Sequence, residues 1–383
     1  MRIRSRTAPR SRSPRTLVGW HWVHRWSSLV CTLFLLMLCL TGLPLIFGHE
    51  IDHALGAGFD LPAVADPAAR APLDDVLADA SARRPGYQVR FLTADDEEPV
   101  LFISLTPAGT KAGGALFTYD ARTGELVHEG ALRSLAMRLL AKLHTDMFAG
   151  LPGSLVLAAM GVLFAVSVVS GVAVYAPILS RVPFGTVRRG RSARIKWLDL
   201  HNLVGMVALL WMLLVGLTGV LLALSKPVYG LWQATELAAM TAPWRSLGPA
   251  PPQASVDQAV AVAREQAPGR QLAFVAFPGT PLAGPRHYAV FMRGDGMFAS
   301  RLITPVLVDA QTGAFAAKRD MPAYVAALRI SGPLHYGDFA GWPLKLAWAL
   351  FTLATLVVLG SGLFLWVRRP PSALSARPAA EMD

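Results

Sequence analysis

The chain has 383 residues, 53% hydrophobic and only 16% charged, where ordinary soluble domains carry about 25% charged residues. That balance argues against a soluble enzyme and makes the membrane the first class to test. The formal net charge of +11 would suit a nucleic-acid binder, but the basic residues flank apolar runs instead of forming one patch, so no nucleic-acid partner is expected.

In chain order, residues 1–19 form a basic tail with Arg2, Arg4, Arg6, Arg10, Arg12 and Arg15 and no acid. A first span is expected over 20–48, around the uncharged stretch Ser27–Phe47. A second is expected over 144–179 around Leu151–Leu179, a third over 198–225 around Leu203–Ser225, and a fourth over 335–367 around Leu346–Val367. Each stretch meets the roughly 20 apolar residues that a helix needs to cross a hydrocarbon core of about 30 Å. The loop 180–197 carries Arg181, Arg188, Arg189, Arg191, Arg194 and Lys196, and the tail 368–383 begins with Arg368 and Arg369. Basic loops stay cytoplasmic. The expected topology is therefore a bacterial inner-membrane protein with both termini cytoplasmic and the segments 49–143 and 226–334 periplasmic. Trp20, Trp22, Trp26, Trp197, Trp342 and Trp366 fall near span ends, as an aromatic belt does. The first apolar run is too long for a signal-peptide core and reads as an uncleaved span. Cys31 and Cys39 lie eight apart on one helix without a CxxC pattern, which points to packing.

The two halves repeat. Trp20, His24 and Thr41-Gly42 recur as Trp197, His201 and Thr218-Gly219, all 177 residues later (201−24). Leu143-His144, Phe148-Ala149-Gly150 and Pro152 recur as Leu334-His335, Phe339-Ala340-Gly341 and Pro343 at an offset of 191 (335−144). Between them, Pro85-Gly86 matches Pro268-Gly269, and Asp120-Ala121-Arg122-Thr123-Gly124 matches Asp309-Ala310-Gln311-Thr312-Gly313. The expected fold is an α-helical membrane protein with four transmembrane helices from two repeated halves, each bearing an α+β lobe. In the first lobe a helix is predicted over Leu73–Arg83, with strands over Gln88–Leu92, Val100–Leu105 and Ala115–Tyr119. In the second the helix is Ser255–Gln266 and the strands are Leu272–Phe277, His287–Met292 and Ile303–Val308. Each Asp-Ala-x-Thr-Gly then makes a hairpin turn.

As an ordered set, these residues resemble the PepSY-associated transmembrane family, often described as iron-regulated membrane proteins. The likeness rests on His24-Arg25-Trp26, Leu40-Thr41-Gly42, Glu50-Ile51-Asp52, Leu143-His144, Asp199-Leu200-His201, Thr218-Gly219, Leu334-His335 and the two lobe turns, and it covers nearly the whole chain. Within the family it is similar to the members that reduce ferrioxamine-type siderophores. That resemblance implies PepSY-like lobes, two haems b and an oxidoreductase that reduces Fe(III) in a periplasmic hydroxamate siderophore. The electron donor would be a quinol or a cytoplasmic reductase.

Four of the nine histidines occupy the repeated positions. By the topology above, His24 and His201 share the cytoplasmic face and His144 and His335 the periplasmic one. A bis-histidine haem needs two imidazoles at equal depth on different elements, and repeat-related positions supply equal depth by construction. The bland alternative is that each His is an interfacial anchor. His21, one turn before His24, is an alternative ligand, although Leu198 stands at its repeat position. The two sites would lie about 30 Å apart along some 20 helical residues, a gap that an aromatic such as Trp211 or Trp348 could bridge. His49-Glu50-Ile51-Asp52-His53 also fits H-E-x-x-H, in which His49 and His53 would bind metal and Glu50 would act as base. The competing readings are therefore a zinc protease and a non-redox PepSY scaffold that binds peptides or regulates a peptidase. No nucleotide- or flavin-binding glycine motif is evident.

Overall fold

The computed structural model describes residues 14–64, 70–95, 98–110, 113–179, 182–249 and 251–368. Arg2, Arg4, Arg6, Arg10, Arg12, Arg181 and Arg369, with the tail that follows, lie outside the described residues. The helices in the first half are α1 (Pro14–Ile46), α2 (Gly48–Ala54), α3 (Leu73–Arg83), α4 (Leu135–Asp146) and α5 (Leu151–Leu179). Those in the second are α6 (Ala193–Val207), α7 (Leu209–Ala223), α8 (Ser225–Trp232), α9 (Ala238–Thr241), α10 (Val256–Gln266), α11 (Ala323–Tyr336) and α12 (Gly341–Val367). The strands are β1 (Tyr87–Ala94), β2 (Val100–Pro107), β3 (Ala115–Asp120), β4 (Leu126–Glu129), β5 (Gln271–Ala276), β6 (His287–Arg293), β7 (Ile303–Asp309) and β8 (Phe315–Lys318).

The chain divides into two compact units, one of them made of the chain up to Ile46, Leu143–Ala223 and the chain from His335 onward. In this helical unit α1, α5 and α12 are each long and apolar enough to cross a membrane, and α6 with α7 makes a fourth span if the bent pair counts as one. The uninterrupted third span expected over 198–225 is thus corrected: the helix breaks at Ala208 and turns by 64°. A second correction concerns His144 and His335. They lie near the C-termini of α4 and α11, not on the spans. Met147 and Phe148 leave α4 with positive φ (52° and 60°), and the Asp146 carboxylate accepts from the Phe148 amide at 3.1 Å. Gly150 and Gly341, at φ +63° and +65°, then reset the backbone before α5 and α12. Phe-Ala-Gly-x-Pro is therefore a helix joint. The small residues beside the imidazoles come from elsewhere.

The second unit, Phe47–Lys142 with Leu224–Leu334, holds one antiparallel sheet in the order β4-β3-β2-β1-β5-β6-β7-β8. Each lobe contributes a four-strand meander. The two meanders join where β1 pairs with β5, Phe91 opposite Ala276 and Thr93 opposite Phe274. One sheet face is covered by α3 and α10, which bury Val76, Leu77 and Ala80 and their counterparts Val256, Ala259, Val260 and Ala263 on Leu92, Ile103, Leu105, Val290 and Val308. Each fully buried Leu, Ile or Val there contributes about 1.5–3 kcal/mol. The two helices cap each other. Asp257 accepts from the Leu73 and Asp74 amides at 3.0 Å each, and Asp74 accepts from the Val256 amide at 2.8 Å and from the Ser255 hydroxyl. Each carboxylate thereby satisfies the orphan N–H groups of its repeat mate. On the opposite face the second lobe is closed by Trp232, Leu237, Met240 and Val325.

Candidate functional site

The helical unit brings the four repeated histidines together as two pairs. His24 and His201 have ring centres 6.4 Å apart and planes at 69°; His144 and His335 have centres 6.3 Å apart and planes at 63°. All four rings are half-buried. His24 and Gly42, the residue of α1 against which His144 sits, are 18 residues apart (42−24). The two pairs therefore lie about 27 Å apart along that helix.

One socket is used four times. The Nδ1 of His24 donates to the Ser167 carbonyl at 2.8 Å, and that of His201 to the Val358 carbonyl at 3.1 Å. That of His335 donates to the Val215 carbonyl at 3.0 Å, and the His144 ring lies on the Leu38 carbonyl with its Nδ1 on Thr41 Oγ1. Each acceptor lies four residues before a glycine that faces the same ring: Gly171, Gly362, Gly219 and Gly42. A Cβ on these glycines would sit 2.9, 3.3, 3.0 and 3.1 Å from the Cε1 of His24, His201, His335 and His144. Each glycine thus admits the Cε1 edge of an imidazole close against its helix. Hydroxyls add to three sockets. Thr41 Oγ1 is 2.9 Å from His144 Nδ1, Thr218 Oγ1 3.3 Å from His335 Nδ1, and Ser361 Oγ 3.0 Å from His201 Nδ1. Thr41 and Thr218 give their own protons to the Met37 and Leu214 carbonyls, so towards the imidazoles they accept.

Carbonyls only accept, so Nδ1 carries the proton in every socket and Nε2 keeps its lone pair. This is the tautomer and second-shell hydrogen bond expected of a metal-ligating histidine. The spacing passes a second test. An imidazole centre lies about 1.1 Å from its nitrogen and the nitrogen about 2.0 Å from a bound metal, so two rings sharing one iron have centres about 6.2 Å apart. The pairs at 6.3 and 6.4 Å fit that distance. A cavity of about 500 Å³ opens at the first pair, lined by both histidines and by Arg25, Asn202, Leu209 and Trp366 among others, a size within the range of about 300–1,000 Å³ typical of cofactor sites. His21 also lines this cavity but is exposed, and it is the His24 ring that pairs with His201.

Sequence reasoning found the four histidines and missed their sockets. Thr41-Gly42 and Thr218-Gly219 were visible as a repeat and served only as depth markers. Ser170-Gly171 and Ser361-Gly362 recur at the offset of the second histidine pair, 191 (361−170), and carried the same signal unread. Trp211 and Trp348 meet edge to face with centres 6.4 Å apart, Trp211 stacks on Phe351 at 5.7 Å, and Trp348 Nε1 donates to the His335 carbonyl at 3.1 Å. Trp211 stands ten residues beyond His201 and eight before Gly219 (211−201, 219−211), between the levels of the two pairs.

The H-E-x-x-H residues gather no further ligand. Among the described residues there is no group of three or more His, Cys, Asp or Glu placed to hold a metal ion. His49 is exposed on the short helix α2, and His53 lies 3.6 Å from Asp60. Within the lobes, the sheet face that Trp232 closes in the second half is open in the first. It forms a groove of about 750 Å³ lined by Arg84, Tyr87, Arg90, Phe91, Ser104 and Leu116 among others. Arg84 pairs with Glu129 at its edge, and Arg90 donates to the Gly279 carbonyl at 3.3 Å.

A family described as "PepSY-associated TM region" matches residues 21–369. An uncharacterised protein of Pseudomonas aeruginosa is 28% identical over an alignment of 269 positions that covers 63% of this chain and 66%, just under two thirds, of that protein's length.

Proposed function

This chain belongs to the PepSY-associated transmembrane family, and from its two histidine pairs we propose that it is an inner-membrane di-haem ferric-siderophore reductase with periplasmic lobes. The observation that carries this reading is the fourfold socket: every Nδ1 is spent on an acceptor of a neighbouring helix, a carbonyl for three rings and the Thr41 hydroxyl for His144, and each pair stands at the spacing of two imidazoles on one iron. His24 with His201, and His144 with His335, would each hold one haem b, which when bound supplies reversible one-electron transfer.

The chain's own contribution is to fix those ligands and to dock the substrate. The carbonyls of Leu38, Ser167, Val215 and Val358 hold the imidazoles in the ligating tautomer, and the four glycines let the ring edges come close to the helices. The open groove of the first lobe, with Arg90 beside Phe91 and Leu116, suits an oxygen-rich chelate with an apolar rim, such as a ferrioxamine-type hydroxamate. Fe(III) held by hard hydroxamate oxygens gains one electron and becomes Fe(II), which those oxygens hold weakly and release. A quinol or a cytoplasmic reductase supplies the electron.

The test is an absorption spectrum of the detergent-purified chain, oxidised and then dithionite-reduced, with pyridine haemochrome quantitation. Two haems b per chain with low-spin bands, reoxidised on adding a ferric hydroxamate, are expected. Colourless protein from haem-replete cells would overturn the redox reading and leave the lobes as a binding scaffold.

A further inference from the structure

The residues that follow the two cavity histidines are Arg25 and Asn202, 177 apart as the repeat requires (202−25), and both line the cavity. Arg25 is half-buried. Its guanidinium lies 5.4 Å over the Trp26 ring, and its Nε is fully shielded from solvent without a hydrogen-bond partner. Among the described residues no carboxylate pairs with it, and Asp199, seven residues into the facing helix α6, is taken by Arg188, which reaches it at 2.7 Å.

A guanidinium does not give up its proton, so this group carries its charge at the wall of an apolar cavity. A cation that served only to set topology would extend its head to the bilayer surface. Arg25 instead keeps an N–H shielded beside the histidine pair. A shielded, charged donor with no acceptor is costly unless a ligand brings one, and the acceptor that matches a guanidinium best is a carboxylate. Arg194 lines the same cavity and adds a second positive charge, with its Nε on the Arg368 carbonyl at 3.2 Å.

We propose that Arg25 binds a carboxylate of the ligand held between His24 and His201, and so fixes which edge of that ligand faces the His24 end of α1. The inference rests on the haem reading above, since haem b carries two carboxylates on one edge of its ring. It makes Arg25 a positioning residue, with Arg194 supplying supporting charge.

The test separates acid from ring. The full-length chain carrying His335→Ala, which leaves one complete pair, is stripped of haem and titrated in detergent with iron protoporphyrin IX and, separately, with its dimethyl ester, following the Soret band. The diacid should bind tighter than the diester by about tenfold or more, the worth of one charge-assisted hydrogen bond. Adding Arg25→Gln should reduce that ratio towards one, and Arg25→Lys should restore part of it. Equal affinity for acid and ester in the parent overturns the proposal without any Arg25 variant, as does an unchanged ratio in Arg25→Gln. Absence of a low-spin Soret band with either porphyrin would overturn the haem reading and this inference together. As an independent readout, a potentiometric titration of the haem-loaded wild type and Arg25→Gln should show one midpoint moving to lower potential, because a positive charge that favours the reduced state has gone.

Discussion

Replacing Gly171 by alanine puts the socket under direct strain. The new Cβ would stand 2.9 Å from His24 Cε1 and 3.2 Å from its Nδ1, whereas carbon contacts are comfortable only from about 3.5 Å, so the ring must retreat by roughly half an ångström. It cannot do so and keep its 2.8 Å bond to the Ser167 carbonyl. Overpacking of this kind costs about 1–3 kcal/mol, or about 5- to 150-fold in affinity for whatever the pair holds. The helix itself gains up to about 1 kcal/mol, since alanine is the better helix former, and in the empty protein no bound group stops the His24 ring turning away from the clash, so that protein should melt little earlier. Gly362→Ala is the matched control: its Cβ meets His201 Cε1 at 3.3 Å, which a shift of a few tenths of an ångström relieves. Haem per chain by pyridine haemochrome, read beside thermal melts of the stripped protein, checks both variants. Gly171→Ala should lose about half of the total haem, because one of two sites weakens, while Gly362→Ala keeps nearly all of it. Equal retention by both, or a loss in Gly171→Ala explained by a lower melting temperature, would refute the socket argument.

Thr41→Val should speed haem loss more than Thr218→Val, because Thr41 Oγ1 accepts from His144 at 2.9 Å while Thr218 Oγ1 is 3.3 Å from His335, whose Val215 carbonyl is nearer; second-shell losses of about 10- to 100-fold in affinity bound the effect, and dissociation into apomyoglobin measures it. Asp257→Ala removes the cap on α3 and should destabilise the lobes by about 1–2 kcal/mol in denaturant melts, with Asp74→Ala costing a similar amount. The lobe turns set an acid limit. The hydrogen bond from Arg122 holds the Asp120 carboxyl below its usual range, and at Asp309 the bonds from Arg286, Gln311 and Thr312 outweigh a burial that by itself pushes the carboxyl up. Lowered carboxyls stabilise the fold fully above the unfolded value of about 3.9 and lose that contribution as pH falls through the lower folded values. Acid unfolding followed by circular dichroism should therefore begin below about pH 4, and Arg122→Met should move the midpoint upward.

The lobes were legible because their signals are local. The helix expected over Leu73–Arg83 is α3 to the residue, and the one expected from Ser255 begins one residue later because Ser255 is its N-cap, accepting from the Gln258 amide at 3.1 Å. The strands were read one to three residues short, except β5, whose expected range sits one residue late, and β4 and β8 stood behind the turns without being assigned. The pairing of β1 with β5 left no trace in the sequence, since two strands more than 180 residues apart (274−93) meet by tertiary packing alone. At the site the repeat exposed the four histidines, because each recurs at a fixed offset, and the repeat mates do pair. The sockets stayed hidden because a glycine that receives a ring looks like any small residue in an apolar run.

The break in the third span shows where hydropathy stops being informative. Val207, Ala208 and Leu209 are apolar, with no proline to announce a kink, so the window reports depth and says nothing of direction. A bent helix in lipid exposes carbonyls that nothing satisfies, and such a bend survives only where protein buries it or a cavity receives it. Both conditions hold here. Ala208 is fully buried and still closes helical bonds on either side, donating to the Val204 carbonyl and accepting from the Met212 amide. Gly205, Met206, Leu209 and Met212 line the cavity beside His201. In the first half α1 runs unbroken through the corresponding level, and there Ser28, Leu29, Cys31, Thr32 and Leu35 line the same cavity. The repeat therefore supplies matched histidines, and a large departure from its symmetry lies beside the space His24 and His201 share. Filling that space should order α6 against α7, so hydrogen exchange at 204–212 should slow on haem binding, and by more than at the equivalent residues 27–35, where α1 lines the same cavity but has no break.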